Sequence, residues 1–319
     1  MKGRFVLTIL LCVGLLVGCQ SNAERYGEPL IFTTGTTTGV FYSLGAGLST
    51  LWTKEMGQRV ASQASNGSVE NLKLMSKGEA NIAFTTVNIA YEAYNGEGTF
   101  KEKPYKEVRI LANLYPNVSH IVAVNDEDIQ SIEDLKGKSF VFGAAGSSTE
   151  MESKLVLESH GIGADEVKGN YVGFTEATDL MRNGQVHAVN IYSGVPAAAT
   201  TELISTLDTK VLDFSEEAIA KMTEDYPWNF KYVIEANTYD KQPEPIVTVG
   251  QYSTIVIDES VSEEAAYNLT KMLWENVKEL EKSFSIAKQF DPKKAIEGTA
   301  GVPLHPGAEK YYKEIGVVE

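Results

Sequence analysis

Ser147, Ser148 and Thr149 stand together behind Gly143 and Gly146, and a run of hydroxyl donors beside glycines is chemistry for holding an anion. The neighbouring residues supply the geometry. Residues 139–142 are apolar and strand-like, and Ser147 with Glu150 forms an S-x-x-E capping box that opens a helix. Met151, Leu155 and Val156 fall on one face of that helix, and Gly161 closes it. The unpaired N–H groups of the first turn and the positive end of the helix dipole then point out of the loop, where a carboxylate could sit. The same features also suit a well-capped crossover helix with no ligand, a common element of α/β proteins.

Other chemistries find little material. His120, His160, His187 and His305 are scattered, with no H-x-x-x-H or H-E-x-x-H pair, so no metal site is expected. His305 stands between prolines and reads as a turn residue. No G-x-S-x-G elbow occurs, which leaves Ser147 and Ser148 as donors and not as hydrolase nucleophiles. Gly45-Ala46-Gly47 is followed by Thr50 where a third glycine would complete a dinucleotide fingerprint, and no lysine follows a glycine-rich loop in the manner of a phosphate-binding loop. Glu176 and Asp179 lie on the polar face of a predicted helix, a solvated setting. Neither a cofactor nor an enzymatic activity is expected.

The elements that would position the hydroxyl loop occur twice. Residues 30–33 form a short strand, Gly35-Thr36-Thr37-Thr38-Gly39 follows, and Leu44, Leu48, Leu51 and Trp52 then fall at helical spacing up to Gly57. Ser68 caps a helix that carries Val69, Leu72 and Met75 and stops at Gly78, before a strand at 82–84. In the second half Thr175 opens a helix with Ala177, Leu180 and Met181, Gly184 stops it, and residues 186–191 form a strand. Gly35 and Gly143, like Gly78 and Gly184, stand about 107 residues apart, which points to two similarly built lobes and not to a short-period solenoid. Chance likeness of two βα modules is the alternative. Residues 108–114 and 120–124 are strand-like runs joined by Tyr115-Pro116-Asn117, a break suited to a crossover between lobes. Residues 246–252 and 254–257 read as strands returning to the first lobe, 233–242 as an irregular surface connection, and 262–280 as the longest amphipathic helix.

The 319 residues, 43% of them hydrophobic, suit one large or two modest domains with real cores. A formal charge of −15 argues against nucleic acid and against an electrostatic grip on anionic lipid. An anionic ligand would have to be drawn by local dipoles, since the global field repels it. At the N-terminus, Lys2 and Arg4 precede an apolar run at 5–17 that is too short to span a bilayer and has the layout of a secretory signal. A short transmembrane anchor is the alternative. The run ends in Leu16-Val17-Gly18-Cys19, which resembles the bacterial lipobox and implies cleavage before Cys19 and a diacylglyceryl group on its sulfur. Cys12 would leave with the signal, so the mature chain would keep no free thiol for a disulfide, catalysis or a metal. Residues 20–27 are polar and read as a tether.

From Ile31 to its end the chain resembles the TAXI family, the substrate-binding subunits of TRAP-type transporters. The matching stretches are Thr34-Gly35-Thr36-Thr37-Thr38-Gly39-Val40-Phe41-Tyr42 with Leu44-Gly45, Gly67-Ser68-Val69-Glu70-Asn71-Leu72, Asp134-Leu135-Lys136-Gly137, Gly146-Ser147-Ser148-Thr149-Glu150, Gly194-Val195-Pro196 and Val302-Pro303-Leu304-His305-Pro306-Gly307-Ala308. The family usually has Gly at Thr38, a second Tyr at Phe41, Pro at Ser43, Gly at Ser148 and Asp at His187. The departures at Thr38, Phe41 and Ser148 fall in the presumed pocket loops.

The resemblance implies an α/β, type II periplasmic-binding-protein fold: two lobes around a ligand cleft, joined by two crossovers. On that plan residues 1–18 are the signal, 19–29 the tether, 30–116 with 246–319 the first lobe, and 117–245 the second. The first lobe would bind ligand through Gly35, Thr36, Thr37, Thr38, Gly39, Phe41, Tyr42, Asn66, Ser68, Thr85, Thr86 and Asn88. The second would use Gly146, Ser147, Ser148, Thr149, Tyr192, Gly194 and Pro196. If the Gly146 loop is only a cap, the anion would be held by the first lobe or by an arginine such as Arg109. The implied ligand is a glutamate-like amino acid or a dicarboxylate, the implied partner is the membrane subunit of a TRAP transporter, and a lipid-anchored monomer on the extracytoplasmic side is expected. A ligand-binding lipoprotein that signals through a partner would share every one of these features.

Replacing Cys19 by Ala should release the protein from the membrane fraction of expressing cells. A variant that sediments with membranes as the wild type does would show that this thiol is not the anchor.

Overall fold

The computed structural model describes residues 29–37 and 39–319. The chain opens with β1 (Leu30–Thr33), α1 (Val40–Met56), β2 (Val60–Gln63), α2 (Ser68–Met75), β3 (Ile82–Thr86) and α3 (Val87–Asn95). A long strand, β4 (Val108–Val124), leads to β5 (Ser139–Val141), α4 (Ser148–Ser159), β6 (Lys168–Asn170), α5 (Phe174–Arg182) and β7 (Ala188–Ser193). Then follow α6 (Ala198–Thr206), β8 (Thr209–Leu212), α7 (Glu216–Asp225) and β9 (Phe230–Ile234). A second long strand, β10 (Ile246–Asp258), returns to α8 (Glu263–Glu275), α9 (Val277–Ser283) and α10 (Pro306–Glu314).

The strands join in the order β2-β1-β3-β10-β4-β7-β5-β6, with β8 beside β4 and β9 beside β10. β1 runs parallel to β2 and β3, and β5 parallel to β6 and β7, so one 2-1-3 arrangement is written twice. The glycine spacing reflects this repeat. Gly78 and Gly184, at φ of 75° and 68°, each follow the helix that precedes the third strand of their half.

Tyr115-Pro116-Asn117 is not a break. β4 runs through it, with Tyr115, Pro116 and Asn117 opposite Ser253, Tyr252 and Gln251 of β10. Two register shifts, at Ser253/Thr254 and Ile255/Val256, let β4 carry extra residues beside the proline, and such bulges are where a ladder tolerates Pro. β10 is likewise one strand and not two.

Other local expectations shift for identifiable reasons. The helix expected at 262–280 divides at Asn276, whose side-chain amide donates to the Met272 carbonyl at 2.9 Å, and α1 is the longest helix among the described residues. The connection expected at 233–242 includes the end of β9, where burial alternates from Phe230 to Ile234. Ser68 and Thr175 lie inside their helices, and Gly67 and Gly173 take the capping positions. The Ser147 hydroxyl accepts from the Glu150 N–H at 3.1 Å as a cap should, but Glu150 returns the bond to the N–H of Gly146, at 2.8 Å.

Apolar side chains gather on either side of the long strands. Phe32, Leu44, Trp52, Phe84, Leu269 and Tyr312 centre the core of the first half, and Val69, Leu72 and Ala90 fill its other layer. In the second half Phe140, Val156 and Met222 lie on one layer, Met181, Val189 and Leu203 on the other. The C-terminal helices are pinned to the first half. The Trp52 indole donates to the Leu269 carbonyl (3.0 Å), the Trp274 indole to the Tyr312 hydroxyl (3.0 Å), and that hydroxyl to the Leu111 carbonyl (2.8 Å).

Asn71 is the polar tie of the first half. Its amide donates to the carbonyls of Thr34 (2.7 Å) and Phe84 (2.8 Å), and its oxygen accepts from the Ser65 hydroxyl (2.6 Å), so α2 is fixed to the ends of β1 and β3. Asn71→Leu keeps the bulk but orphans buried carbonyls, and should cost about 2 kcal/mol. The cost would appear as a lower urea midpoint at unchanged slope. A midpoint equal to wild type would show that the tie is dispensable.

Candidate ligand-binding site

A cavity lies between the halves, with about 510 Å³ of unfilled space that includes its opening to solvent. Gly35, Thr36, Gly39, Val40, Phe41, Asn66 and Gly67 line it from the first half. Ala144, Ser147, Ser148, Thr149, Gly173, Phe174, Tyr192 and Ser193 line it from the second, with Tyr115 and Asn117 of β4 between them. The topology dictates this meeting. α1, α2, α4 and α5 each begin beyond the C-terminal end of a parallel strand, and those ends of both half-sheets face the cleft. Four helix N-termini, two from each half, therefore converge on one space.

Gly39, Gly67 and Gly173 bring no side-chain cap to their helices, so first-turn N–H groups are left for a ligand. No charged side chain is among the lining residues. The first-turn carboxylates of Glu70 and Glu150 turn back into their own loops, where they accept from the N–H groups of Asn66 (2.7 Å) and Gly146 (2.8 Å). Glu150 also meets Lys154 at 2.5 Å. The electrostatic character of the cavity thus comes from the positive ends of helix dipoles.

Side-chain donors add to them. Ser148 and Thr149 are each 6% exposed and line the cavity. Tyr115 and Tyr192 also border the cavity, but their hydroxyls are buried, that of Tyr115 beside Ser253 and that of Tyr192 beside Gln251. Burial pushes both phenols up, and the nearby Glu152 pushes Tyr192 further, so both remain protonated donors. Phe41, stacked on Phe84 with ring centroids 4.7 Å apart, and Phe174 form the apolar walls.

The lips are closed. A β-carbon built at Gly67 would lie 3.8 Å from that of Ser147, and one at Gly173 would lie 3.6 Å from the Thr36 methyl, so the two halves stand in van der Waals range at both places. Tyr91 packs on Trp228 at 5.1 Å between centroids, and the Gln289 amide donates to the Val195 carbonyl at 2.8 Å. Deeper in, the Asn88 N–H donates to the Gln251 oxygen (3.1 Å) and the Gln251 amide reaches Glu152 (3.5 Å), which links the first half, β10 and α4 in a single buried chain.

The structure brings nine of the anticipated residues to the cavity: Gly35, Thr36, Gly39, Phe41, Asn66, Ser147, Ser148, Thr149 and Tyr192. Thr37 is exposed, and Tyr42 is turned off the lining by the helical rotation after Phe41. Ser68 is buried away from it. Thr85, Thr86 and Asn88 bond among themselves at the start of α3: Thr85 to the Thr86 carbonyl (3.3 Å), Thr86 to the Asn88 oxygen (2.7 Å). Gly146 serves the Glu150 turn, Gly194 is packed against Ile286 and Tyr115, and Pro196 is exposed. Thr38 and Cys19 lie outside the described residues. Arg109 is no holder of the anion, because it pairs with Glu259 and donates to the carbonyls of Lys106 (2.7 Å) and Val108 (2.9 Å).

Val40, Gly67 and Ser193 fall inside the stretches 35–42, 66–68 and 192–196 expected to line the cleft, whereas Tyr115, Asn117, Ala144, Gly173 and Phe174 were not anticipated. A glycine just before a predicted helix was the available signal for Gly173.

Burial raises Glu152 to about 8 from 4.5 and lowers His120 to about 4 from 6.5; His120 is sealed between the carbonyls of Val118 and Ile191 and the Tyr239 hydroxyl. Folding therefore takes up a proton at Glu152 and releases one at His120. The Glu152 contribution to stability falls as pH rises from about 4.5 to about 8, and the His120 contribution falls as pH drops from about 6.5 to about 4. The slopes oppose each other up to about pH 6.5, and only that of Glu152 remains above it. Urea unfolding should show lower stability at pH 8 than at pH 6.5, and Glu152→Gln should abolish the difference. Equal wild-type stability at the two pH values would refute this.

A model of the NMT1-like family matches residues 32–316. Among solved structures, one described as a periplasmic transporter shares 13% identity at a TM-score of 0.57, over 91% of this chain and 93% of that one. A protein of Bordetella bronchiseptica RB50 shares 18% at 0.55, over 91% and 89%. The alkanesulfonate-binding protein SsuA of Xanthomonas axonopodis pv. citri, bound to MOPS, shares 11% at 0.52, over 90% and 83%. At these identities the likeness speaks to the fold, which is that of periplasmic binding proteins. Since the family match spans nearly all of the described chain, the protein belongs to the NMT1-like family.

Proposed function

We propose that this protein is an extracytoplasmic solute-binding protein that closes its two halves around a small organic anion and delivers it to a membrane transporter. One observation carries the reading: four helix N-termini and the hydroxyls of Ser148 and Thr149 meet at one interlobe cavity, and none of the described residues that line it is charged. Such a site attracts negative charge through fixed dipoles despite the chain's net charge of −15. The sulfonate-binding neighbour supports an anionic ligand by analogy of fold. The resemblance to TAXI proteins supports the finer assignment: a glutamate-like or dicarboxylate ligand, a TRAP-type partner, a lipid anchor at Cys19, and lobes comprising 30–116 with 246–319 and 117–245. No reaction is assigned, since the lining offers no nucleophile and base pair.

A thermal-shift screen of carboxylates and sulfonates should find a ligand, which at about 100 times its dissociation constant adds roughly 2.7 kcal/mol. Calorimetric titration of that ligand should show Thr149→Val and Ser148→Ala each weakened about tenfold, the loss of one hydrogen bond to a charged group. Two variants that bind within twofold of wild type would remove the cavity from the function.

A further inference from the structure

We infer that the site takes organic anions that carry no ammonium group, so that of two otherwise matched solutes the oxo or hydroxy acid is held and the amino acid rejected. This rests on the solute-binding reading and narrows its substrate class. A closed cleft strips water from whatever it encloses, and an ammonium taken out of water needs a carboxylate or a comparable anion to offset the loss. Among the described residues, none that lines the cavity is a carboxylate. Its neutral acceptors, side-chain oxygens such as those of Asn66, Asn117, Ser148 and Ser193, do not balance a full positive charge, and helix N-termini enter the same space from both halves with positive ends foremost. A carbonyl or hydroxyl oxygen in the ammonium's place would instead accept from the Ser148 or Thr149 hydroxyl or from an N–H group of a helix first turn.

The carboxylates close to the cavity do not rescue an amino acid: those of Glu70 and Glu150 are spent on the N–H groups of Asn66 and Gly146. Glu152 is 1% exposed, lies beside Tyr192 and off the lining, and faces the Gln251 amide at 3.5 Å. Gln251 is in turn held by the Asn88 N–H, so bringing Glu152 to the ligand would mean breaking the chain that joins the two halves.

The test uses the mature full-length protein, stripped of ligand by unfolding and refolding, and calorimetric titration with matched pairs: 2-oxoglutarate and glutamate, pyruvate and alanine, phenylpyruvate and phenylalanine, isethionate and taurine. In whichever pair binds, the solute without nitrogen should bind at least about tenfold more tightly. Glu152→Gln should leave that affinity within about twofold. An amino acid that binds as tightly as its partner overturns the inference and leaves the solute-binding reading intact; loss of that binding in Glu152→Gln would identify Glu152 as the ammonium's partner. If no member of any pair binds at millimolar concentration, the solute-binding reading fails and the inference fails with it.

Discussion

The antiparallel pairing of β4 with β10 is the constraint on which the rest of the molecule depends. Each half is a parallel sheet covered by its own helices, and those sheets touch only through these two strands. The pair passes from one half to the other near Tyr115, Pro116 and Asn117, opposite Gly250, Gln251, Tyr252 and Ser253. A proline there lacks an N–H to give, and two bulges add twist, so the ribbon is softest midway between two stiff bodies. The same stretch supplies Tyr115 and Asn117 to the cavity and Gln251 to the chain beneath it. On the proposed reading, the element that bends is also the element that touches the solute.

Charge at two scales acts in opposite senses. The whole chain is acidic, and a field of that sign disfavours an approaching anion. Within a few ångströms the balance reverses, because four helix N-termini meet at one space and the first-turn carboxylates of Glu70 and Glu150 are spent on their own loops. Long-range charge is screened by salt within about 10 Å, whereas a closed cavity is not. Affinity in such a design is decided after contact and not during approach.

The sequence made the repeat legible because glycine and hydroxyl residues carry local meaning. Gly143, Gly146, Ser147 and Glu150 specify a strand, a turn and a capped helix with no help from distant residues, and the Gly35 loop does so again. Residues whose roles depend on distant partners were hidden. Tyr115 and Asn117 look like a loop until β10 pairs with them. Glu152 looks like a surface residue of an amphipathic helix, yet α4 buries it against Gln251. Thr85, Thr86 and Asn88 have the composition of a binding loop and bond to one another instead. Composition shows what a side chain can offer; the fold decides whether the offer reaches the ligand.

The pinning of the C-terminal helices has a consequence for how the chain matures. The core of the first half includes Leu269, Leu273, Tyr311 and Tyr312, and the Tyr312 hydroxyl closes on the Leu111 carbonyl. That core cannot be completed until α10 has emerged. The second half draws its core mainly from one continuous stretch between β4 and β10 and can consolidate earlier. A chain built this way matures out of order, with the half that begins first closing last.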